Sequence, residues 1–145
     1  MIANEKQYQV TKLRLQEFSE QLQILLTKNS SDILNQIHIN SLKAKIDDFK
    51  REIAEYEALQ NGKTNELTIQ SLEDFGQILI QARIAKKWSQ SELAGKLNLK
   101  EQQIQRYEAD RYLTANIPKL MQIATALDIE ILPIKALLNK HKSAA

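Results

Sequence analysis

The chain has 145 residues with 43% hydrophobic side chains, a net charge of +2 and no cysteine. Without cysteine, disulfides and thiolate metal sites are excluded, and we expect a reducing, cytoplasmic setting. No apolar run approaches the roughly 20 residues of a membrane span, and the amino-terminal residues lack the apolar segment of a signal peptide. Only three glycines and two prolines occur, too few for the turns of a β-rich fold, so the sequence predicts an all-α protein.

The first 60 residues carry two runs of apolar residues in a heptad-like pattern. Within each run the spacing is mostly three or four residues, as in the seam between paired helices. The first run comprises Tyr8, Leu15, Phe18, Leu22 and Leu25, and the second comprises Ile39, Leu42, Ile46, Phe49, Ile53 and Tyr56. A short polar loop over residues 27–32 separates them. We therefore predict an antiparallel, coiled-coil-like helical hairpin over residues 1–60.

An isolated two-helix hairpin buries little surface for its length, so we expect this one to have a partner. Four apolar residues off the seam are available for such contacts: Leu13, Ile24, Leu26 and Ile37. Residues 1–60 hold eight basic and nine acidic side chains, which is a poor balance for binding DNA. The hairpin is therefore predicted to serve dimerisation or partner binding, and the alternative is an ordinary solvated helical surface.

Residues 61–70 show little helical patterning and are predicted to be a linker, in which Gly62 ends the hairpin. After the linker, Ser71 and Asp74 have the spacing of a helix cap. The helix that follows is expected to bury one face, formed by Leu72, Phe75, Leu79 and Ala82. We interpret Trp88, which closes this segment, as a core anchor rather than a residue that stacks on bases.

Residues 88–110 have the pattern of two short helices joined by a tight turn. Ser89 and Glu92 have the capping-box spacing that starts a helix. The apolar residues on the inner face of that helix are Leu93, Ala94 and Leu97. Asn98 tolerates the left-handed backbone conformation better than most residues with a side chain, so we expect it to end the helix and redirect the chain.

The second helix of this pair is predicted to run from about Glu101 to Ala109, with Ile104 and Tyr107 facing inward. Its outward polar residues are Glu101, Gln102, Gln105 and Arg106. Glutamine and arginine can hydrogen-bond to purine edges in the major groove of DNA. Residues 83–119 hold eight basic against four acidic side chains, which favours a nucleic-acid surface, although a lysine-rich solvated face would give the same excess.

The segments SQSELAGKL and IQRYEADR, with the turn between them, resemble the phage repressor and Cro type of DNA-binding domain, the XRE-like family of bacterial regulators. The resemblance extends over residues 71–131 and implies a four- to five-helix helix-turn-helix domain, which we place at residues 71–138. Two positions depart from the family pattern. Asn98 stands where the family usually has glycine in the turn, and Lys100 stands where it usually has Ser or Thr at the cap of the second helix.

The resemblance implies a set of functional residues. Base readout would fall to Glu101, Gln102, Gln105 and Arg106, and phosphate contacts to Gln90, Lys100, Arg111 and Thr114, with Tyr112 as a further candidate in the loop after the second helix. The resemblance also implies an ion pair between Arg83 and Glu108. This pair would tie the helix before the motif to the end of the second motif helix.

After the motif, the sequence predicts one further helix, a short apolar segment and a tail. Asn116 is a cap-type residue, and Pro118 is tolerated in a first helical turn. The buried stripe of this helix would comprise Leu120, Ile123, Ala124 and Leu127. Residues 131–138 are expected to form a short fifth helix, with a strand as the alternative, and residues 139–145 a frayed tail.

Other chemistry finds little support in the sequence. The three glycines are scattered, and His38 and His141 lack partners at catalytic or ligand spacing, so we predict no catalytic residue, no cofactor and no metal site. The predicted function is a sequence-specific DNA-binding transcriptional regulator, a repressor acting as a dimer on a palindromic operator. The alternative is an antitoxin that binds its toxin and represses its own operon. The expected partners are double-stranded DNA and a second copy, with a toxin as the partner in the alternative, and no membrane.

Overall fold

The computed structural model describes residues 1–28, 32–64 and 66–134. These residues are helical without any strand, which confirms the predicted all-α fold. The helices are α1 (Glu5–Thr27), α2 (Ile33–Gln60), α3 (Phe75–Ala85), α4 (Gln90–Lys96), α5 (Glu101–Ala109) and α6 (Ile117–Ala126), and a 3-10 turn (Leu72–Asp74) precedes α3. Within the described part of the chain, none of these helices is both long and apolar enough to cross a membrane.

Helices α1 and α2 form the antiparallel hairpin that the heptad pattern predicts. Near its open end the ring of Tyr8 stacks on that of Tyr56, with the centroids 5.0 Å apart. Farther along, Phe18 meets Phe49 edge to face at 5.4 Å. Each helix has a side-chain cap. Asn4 accepts a hydrogen bond from the backbone N–H of Gln7 at the start of α1, and Asp32 accepts one from the backbone N–H of Leu34 at the start of α2. The seam of α2 is buried at Ile39, Leu42, Ile46 and Tyr56, whereas α1 has no fully buried residue.

The base of the hairpin packs into the same core as helices α3–α6. Ile2, Tyr56 and Leu59 belong to one continuous cluster of buried residues with Leu79 and Ile80 of α3. The amino-terminal ammonium of Met1 also donates to Glu52 Oε1 at 2.7 Å. The predicted linker at residues 61–70 therefore separates two sequence segments that share one hydrophobic core.

The start of the second segment differs from the prediction at Leu72. This side chain is 79% exposed, because it lies in the 3-10 turn before α3 and not on the helix itself. The carboxylate of Asp74 accepts hydrogen bonds from the backbone N–H groups of Gln70 and Ser71, at 3.3 and 3.1 Å, and these bonds shape the turn. The buried face of α3 begins only with Gly76 and includes Leu79.

The far end of the domain follows the prediction in α6 and departs from it afterwards. Asn116 caps α6 by accepting from the backbone N–H of Lys119 at 2.9 Å, and Pro118 lies in its first turn. After α6, Asp128 adopts a positive φ of 52°, and residues 131–134 are neither helix nor strand. Pro133 explains this, because it has no backbone N–H and disfavours the helical conformation of the residue before it. Residues 135–138 and the predicted tail at 139–145 lie outside the described residues.

Candidate nucleic-acid interface

Helix α4 begins with a complete capping box. The Ser89 hydroxyl accepts a hydrogen bond from the backbone N–H of Glu92 at 3.1 Å, and the Glu92 carboxylate accepts one from the backbone N–H of Ser89 at 2.6 Å. The backbone N–H of Ser89 lowers the pKa of Glu92, since it stabilises the charged carboxylate. Leu93 and Ala94 are buried on the inner face. The start and the orientation of α4 are therefore as the sequence predicts.

The turn between α4 and α5 depends on Asn98. Its φ of 54° lies in the left-handed region, as expected for a residue that ends one helix sharply. The backbone N–H of Leu99 then donates back to the carbonyl of Ala94 at 2.9 Å. This bond satisfies a carbonyl of the last turn of α4 and fixes the angle at which the chain enters α5.

Helix α5 has Lys100 at its N-cap position, and the side chain of Gln103 provides half of a capping box. A lysine ammonium has no lone pair to offer, so Lys100 cannot accept from the first backbone amides of the helix. The side-chain oxygen of Gln103, however, accepts from the backbone N–H of Lys100 at 3.1 Å, which is the reverse half of a capping box. This hydrogen bond from Lys100 to Gln103 partly compensates for the absence of Ser or Thr at the cap of α5.

The outer face of α5 presents the four residues predicted to read bases. Ile104 and Glu108 are buried on its inner side, and the four polar residues opposite them, Glu101, Gln102, Gln105 and Arg106, are all exposed. The amide nitrogen of Gln105 donates to Glu101 Oε1 at 3.0 Å. Among the described residues, none hydrogen-bonds to the side chain of Gln102.

A buried ion pair joins α3 to the end of α5. Arg83 donates from Nε to Glu108 Oε1 at 2.6 Å and from Nη2 to Oε2 at 2.7 Å, and both side chains are only 2% exposed. The same guanidinium donates to the carbonyl of Trp88 at 2.7 Å and to that of Ala3 at 2.6 Å. One side chain thus connects α3, the segment before α4, the end of α5 and the residues before α1.

Gln90, a predicted phosphate contact, extends this network. Its amide nitrogen donates to Glu108 Oε2 at 2.8 Å. An amide nitrogen carries two hydrogens, so one remains to donate elsewhere. The bond to Glu108 therefore positions Gln90 at the start of α4 without exhausting its capacity as a donor.

The remaining candidates for phosphate contacts lie in the loop after α5 and differ in their exposure to solvent. Arg111 is exposed, with a φ of 56°. Thr114 is also exposed, and its hydroxyl donates to Asp110 Oδ2 at 2.5 Å. Tyr112 is wrong as a phosphate contact, because it is buried and stacks on Tyr107 with the centroids 5.8 Å apart. Burial also raises the pKa of the Tyr112 phenol, since it penalises the charged form.

Comparison with known proteins agrees with this geometry. Residues 79–134 match the family model described as Helix-turn-helix. This segment is similar to helix-turn-helix domains of the XRE type. The match covers most of α3 and all of α4, α5 and α6, and the fold is that of DNA-binding transcriptional regulators. No curated protein and no solved structure matches the chain.

Trp88 lies between α3 and α4 of the helix-turn-helix domain and packs partly against its core, which agrees with its interpretation as an anchor. The ammonium groups of Lys86 and Lys96 lie 5.2 and 5.5 Å from the centroid of its indole. Such placement is favourable because the face of the ring is electronegative. The indole therefore interacts with one lysine that precedes α4 and with one from its last turn.

Two residues that position the helix-turn-helix domain escaped the sequence analysis. Gln103 completes the cap of α5, and its spacing of three residues from Lys100 was an available signal. Gly76 allows the carbonyl of Arg111 to approach α3 so closely that a Cβ at residue 76 would lie 1.7 Å from that oxygen. No local pattern indicates this contact, since it joins residues far apart in sequence.

Proposed function

We propose that the chain is a sequence-specific repressor that acts as a dimer on a palindromic DNA operator. The observation that carries the proposal is the outer face of α5, where four polar side chains are exposed on a helix held from behind by the buried Arg83–Glu108 pair. A helix that reads the major groove needs both properties, because its side chains must reach base edges and its backbone must not move.

Within α5, Gln102 is the first candidate for base readout. It lies at the start of the helix, where side chains of a recognition helix enter the groove. Its amide presents a donor and an acceptor together, which matches the edge of adenine. Glu101 and Gln105 bond to each other and act as a unit. Arg106 is suited to guanine, to which arginine donates twice.

The backbone of the DNA would be held by Gln90, Lys100, Arg111 and Thr114 on either side of α5. Arg111 and Lys100 are the strongest of these, because each is exposed and carries a full positive charge. Thr114 is the weakest, since its hydroxyl already donates to Asp110 and would have to exchange that bond. Gln90 is held beside the buried pair, so its free amide hydrogen is well placed for one phosphate oxygen.

The direct test is selection of bound duplexes from a random pool by the full chain. The proposal expects enrichment of one sequence with two inverted half-sites. Recovery of unrelated sequences, bound no more tightly than the starting pool, would contradict it. A single enriched half-site would support base readout and refute the palindrome.

Gln102→Ala and Arg111→Ala should weaken DNA binding in different ways. On the selected site, Gln102→Ala should cost about 1–3 kcal/mol and relax the preference at one base pair, without changing the salt dependence. Arg111→Ala should weaken all sequences about equally and reduce the slope of log affinity against log salt by about one ion. Titration of both variants against selected and random duplexes at several salt concentrations measures this.

The control for that comparison is Lys45→Ala, which removes an exposed charge from the hairpin and should leave both affinity and slope as in the parent. If Gln102→Ala lowers the affinity for selected and random duplexes equally, α5 is not docked as proposed. Glu101 or Arg106 would then be the better candidates for readout.

A second candidate function is an antitoxin that binds a toxin and represses its own operon through the same domain. The observation that favours it is the row of exposed aliphatic side chains on the hairpin, such as Leu34 at 73% and Ile37 at 59%. Co-expression with the product of a neighbouring reading frame tests it. A stable complex that relieves growth arrest would support this function, and unrelieved arrest would refute it for that partner.

A further inference from the structure

The end of the hairpin distant from the helix-turn-helix domain exposes a group of aliphatic side chains. We call this group the tip surface. Its members come from the last turn of α1 and the first turns of α2, and each is between 52% and 75% exposed: Ile24, Leu26, Ile33, Leu34 and Ile37. None of them belongs to the seam between α1 and α2, whose residues are at least half-buried. The folded monomer therefore gains little from these five side chains.

The tip surface is large enough to matter. At about 60–120 Å² of apolar area for each fully exposed aliphatic side chain, and with exposures of 52–75%, it offers on the order of 300 Å². Contiguous apolar patches of a few hundred Å² on a monomer are often functional. A standard interface buries about 800 Å² on each partner, a little over half of it apolar, so the tip surface would supply most of the apolar part.

The surroundings of the tip surface are nearly free of charge. Residues 21–42 include only two charged side chains, Lys28 and Asp32, whereas residues 43–57 include nine. The core of an interface is depleted of charge in the same way. The hairpin therefore divides into a charged half near the helix-turn-helix domain and an uncharged half that carries the tip surface.

We propose that the tip surface is a homodimer interface, in which the hairpins of two copies pack side by side about a two-fold axis. A two-fold contact joins a patch to itself, so any charge on it meets its own sign unless it is balanced. The tip region satisfies this condition, because it is apolar at its centre and its two charges have opposite signs.

The side-by-side orientation rests on the proposed function, whereas the interface itself does not. Helix α2 has 28 residues and is therefore about 42 Å long. An end-to-end contact would hold the two helix-turn-helix domains roughly 80 Å apart, far more than the 34–36 Å between half-sites one turn apart. Side-by-side packing instead leaves both domains at the same end of the dimer.

The test uses the full chain with a charge introduced into the tip surface. Leu34→Glu and Ile37→Glu should each weaken self-association by at least about 100-fold, because every dimer contains the change twice. Both positions are exposed, so the melting temperature of the monomer should change little. The matched control is Leu13→Glu, at a position 61% exposed in the charged half of α1, which should associate like the parent. Sedimentation equilibrium measures all four proteins.

Cross-linking locates the interface independently. The chain has no cysteine, so Leu34→Cys or Ile37→Cys introduces its only thiol. At least one of these variants should form a disulfide-linked dimer under mild oxidation, since residues close to a two-fold axis meet their own copies. Leu13→Cys should form no disulfide-linked dimer under the same conditions, although it still associates like the parent.

The proposal would be overturned if the parent were monomeric or if the tip variants associated as strongly as the parent. It would also be overturned if Met121→Glu, at an exposed position of α6, abolished the dimer while the tip variants did not. Binding to DNA separates this inference from the proposed function. Leu34→Glu should bind a single half-site like the parent and lose only its advantage on the palindrome. If the tip dimer forms and no duplex is bound specifically, the interface stands and the repressor function fails.

Discussion

Gly76→Ala is expected to lower the free energy of unfolding by about 3 kcal/mol or more. A Cβ at this position would lie 1.7 Å from the carbonyl oxygen of Arg111, 2.6 Å from its carbonyl carbon and 3.2 Å from the Cβ of Tyr112. Two of these atoms belong to the backbone, so no change of rotamer can relieve the clash. The loop after α5 would have to move away from α3, and the buried ring of Tyr112 would move with it.

The matched control is Gly95→Ala. Gly95 lies in α4 with no atom within 4 Å of the added Cβ, and alanine is favoured over glycine in a helix by about 0.5–1 kcal/mol. Urea unfolding should therefore show the two substitutions acting in opposite directions. A loss smaller than about 1 kcal/mol in Gly76→Ala would mean that the loop gives way easily and that the close approach does not hold Arg111 in place.

Sequence patterns predicted the parts of the fold that depend on local signals. The heptad spacing identified the seam of the hairpin, because side chains at steps of three and four share one face of a helix. Ser89 and Asn116 predicted the starts of α4 and α6, since a cap acts within three residues of itself. Asn98 predicted the turn for a similar reason, because its positive φ is a property of that residue.

The features that escaped prediction arise between distant parts of the chain. Ile2 lies in a short apolar stretch before α1, and only the folded chain shows that it joins the core that includes Leu79 and Ile80 of α3. Ala3 accepts a hydrogen bond from Arg83 with its backbone carbonyl. Every residue has such a carbonyl, so the sequence cannot indicate this bond. The burial of Tyr112 likewise depends on a loop that packs against Gly76 of α3. The exposure of Leu72 is different, since it follows from a local turn shaped by Asp74.

The residues of the candidate site could be predicted from the sequence, whereas their contacts between helices could not. The polar face of α5 follows from helical spacing, and the exposure of Gln102 and Arg106 agrees with it. The bond between Glu101 and Gln105 follows from their spacing of four residues. By contrast, the contact of Gln90 with Glu108 joins two helices whose packing had to be known first. Which of these side chains touch DNA stays a prediction that the binding experiments decide.

Arg83→Met should be among the most destabilising changes in the chain, with a loss of about 3–5 kcal/mol in the free energy of unfolding. Methionine keeps much of the volume of arginine but leaves the carboxylate of Glu108 buried without its ion-pair partner. It also removes the donor to the carbonyls of Ala3 and Trp88. The residues before α1 and the segment before α4 would therefore loosen together, and DNA binding should weaken even at temperatures where the variant is folded.

Two further variants separate charge from geometry in this network. Arg83→Lys keeps the positive charge but cannot reproduce the forked pair of bonds to Glu108, so it should recover only part of the loss. Arg83→Met combined with Glu108→Leu removes the stranded charge and should be more stable than Arg83→Met alone. The control is Arg51→Ala, which breaks an ion pair whose side chains are 66% and 51% exposed and should cost no more than about 0.5 kcal/mol. If Arg83→Met and Arg51→Ala cost the same, burial does not set the contribution of the pair, and the base of the hairpin must be linked to α5 through the apolar core instead.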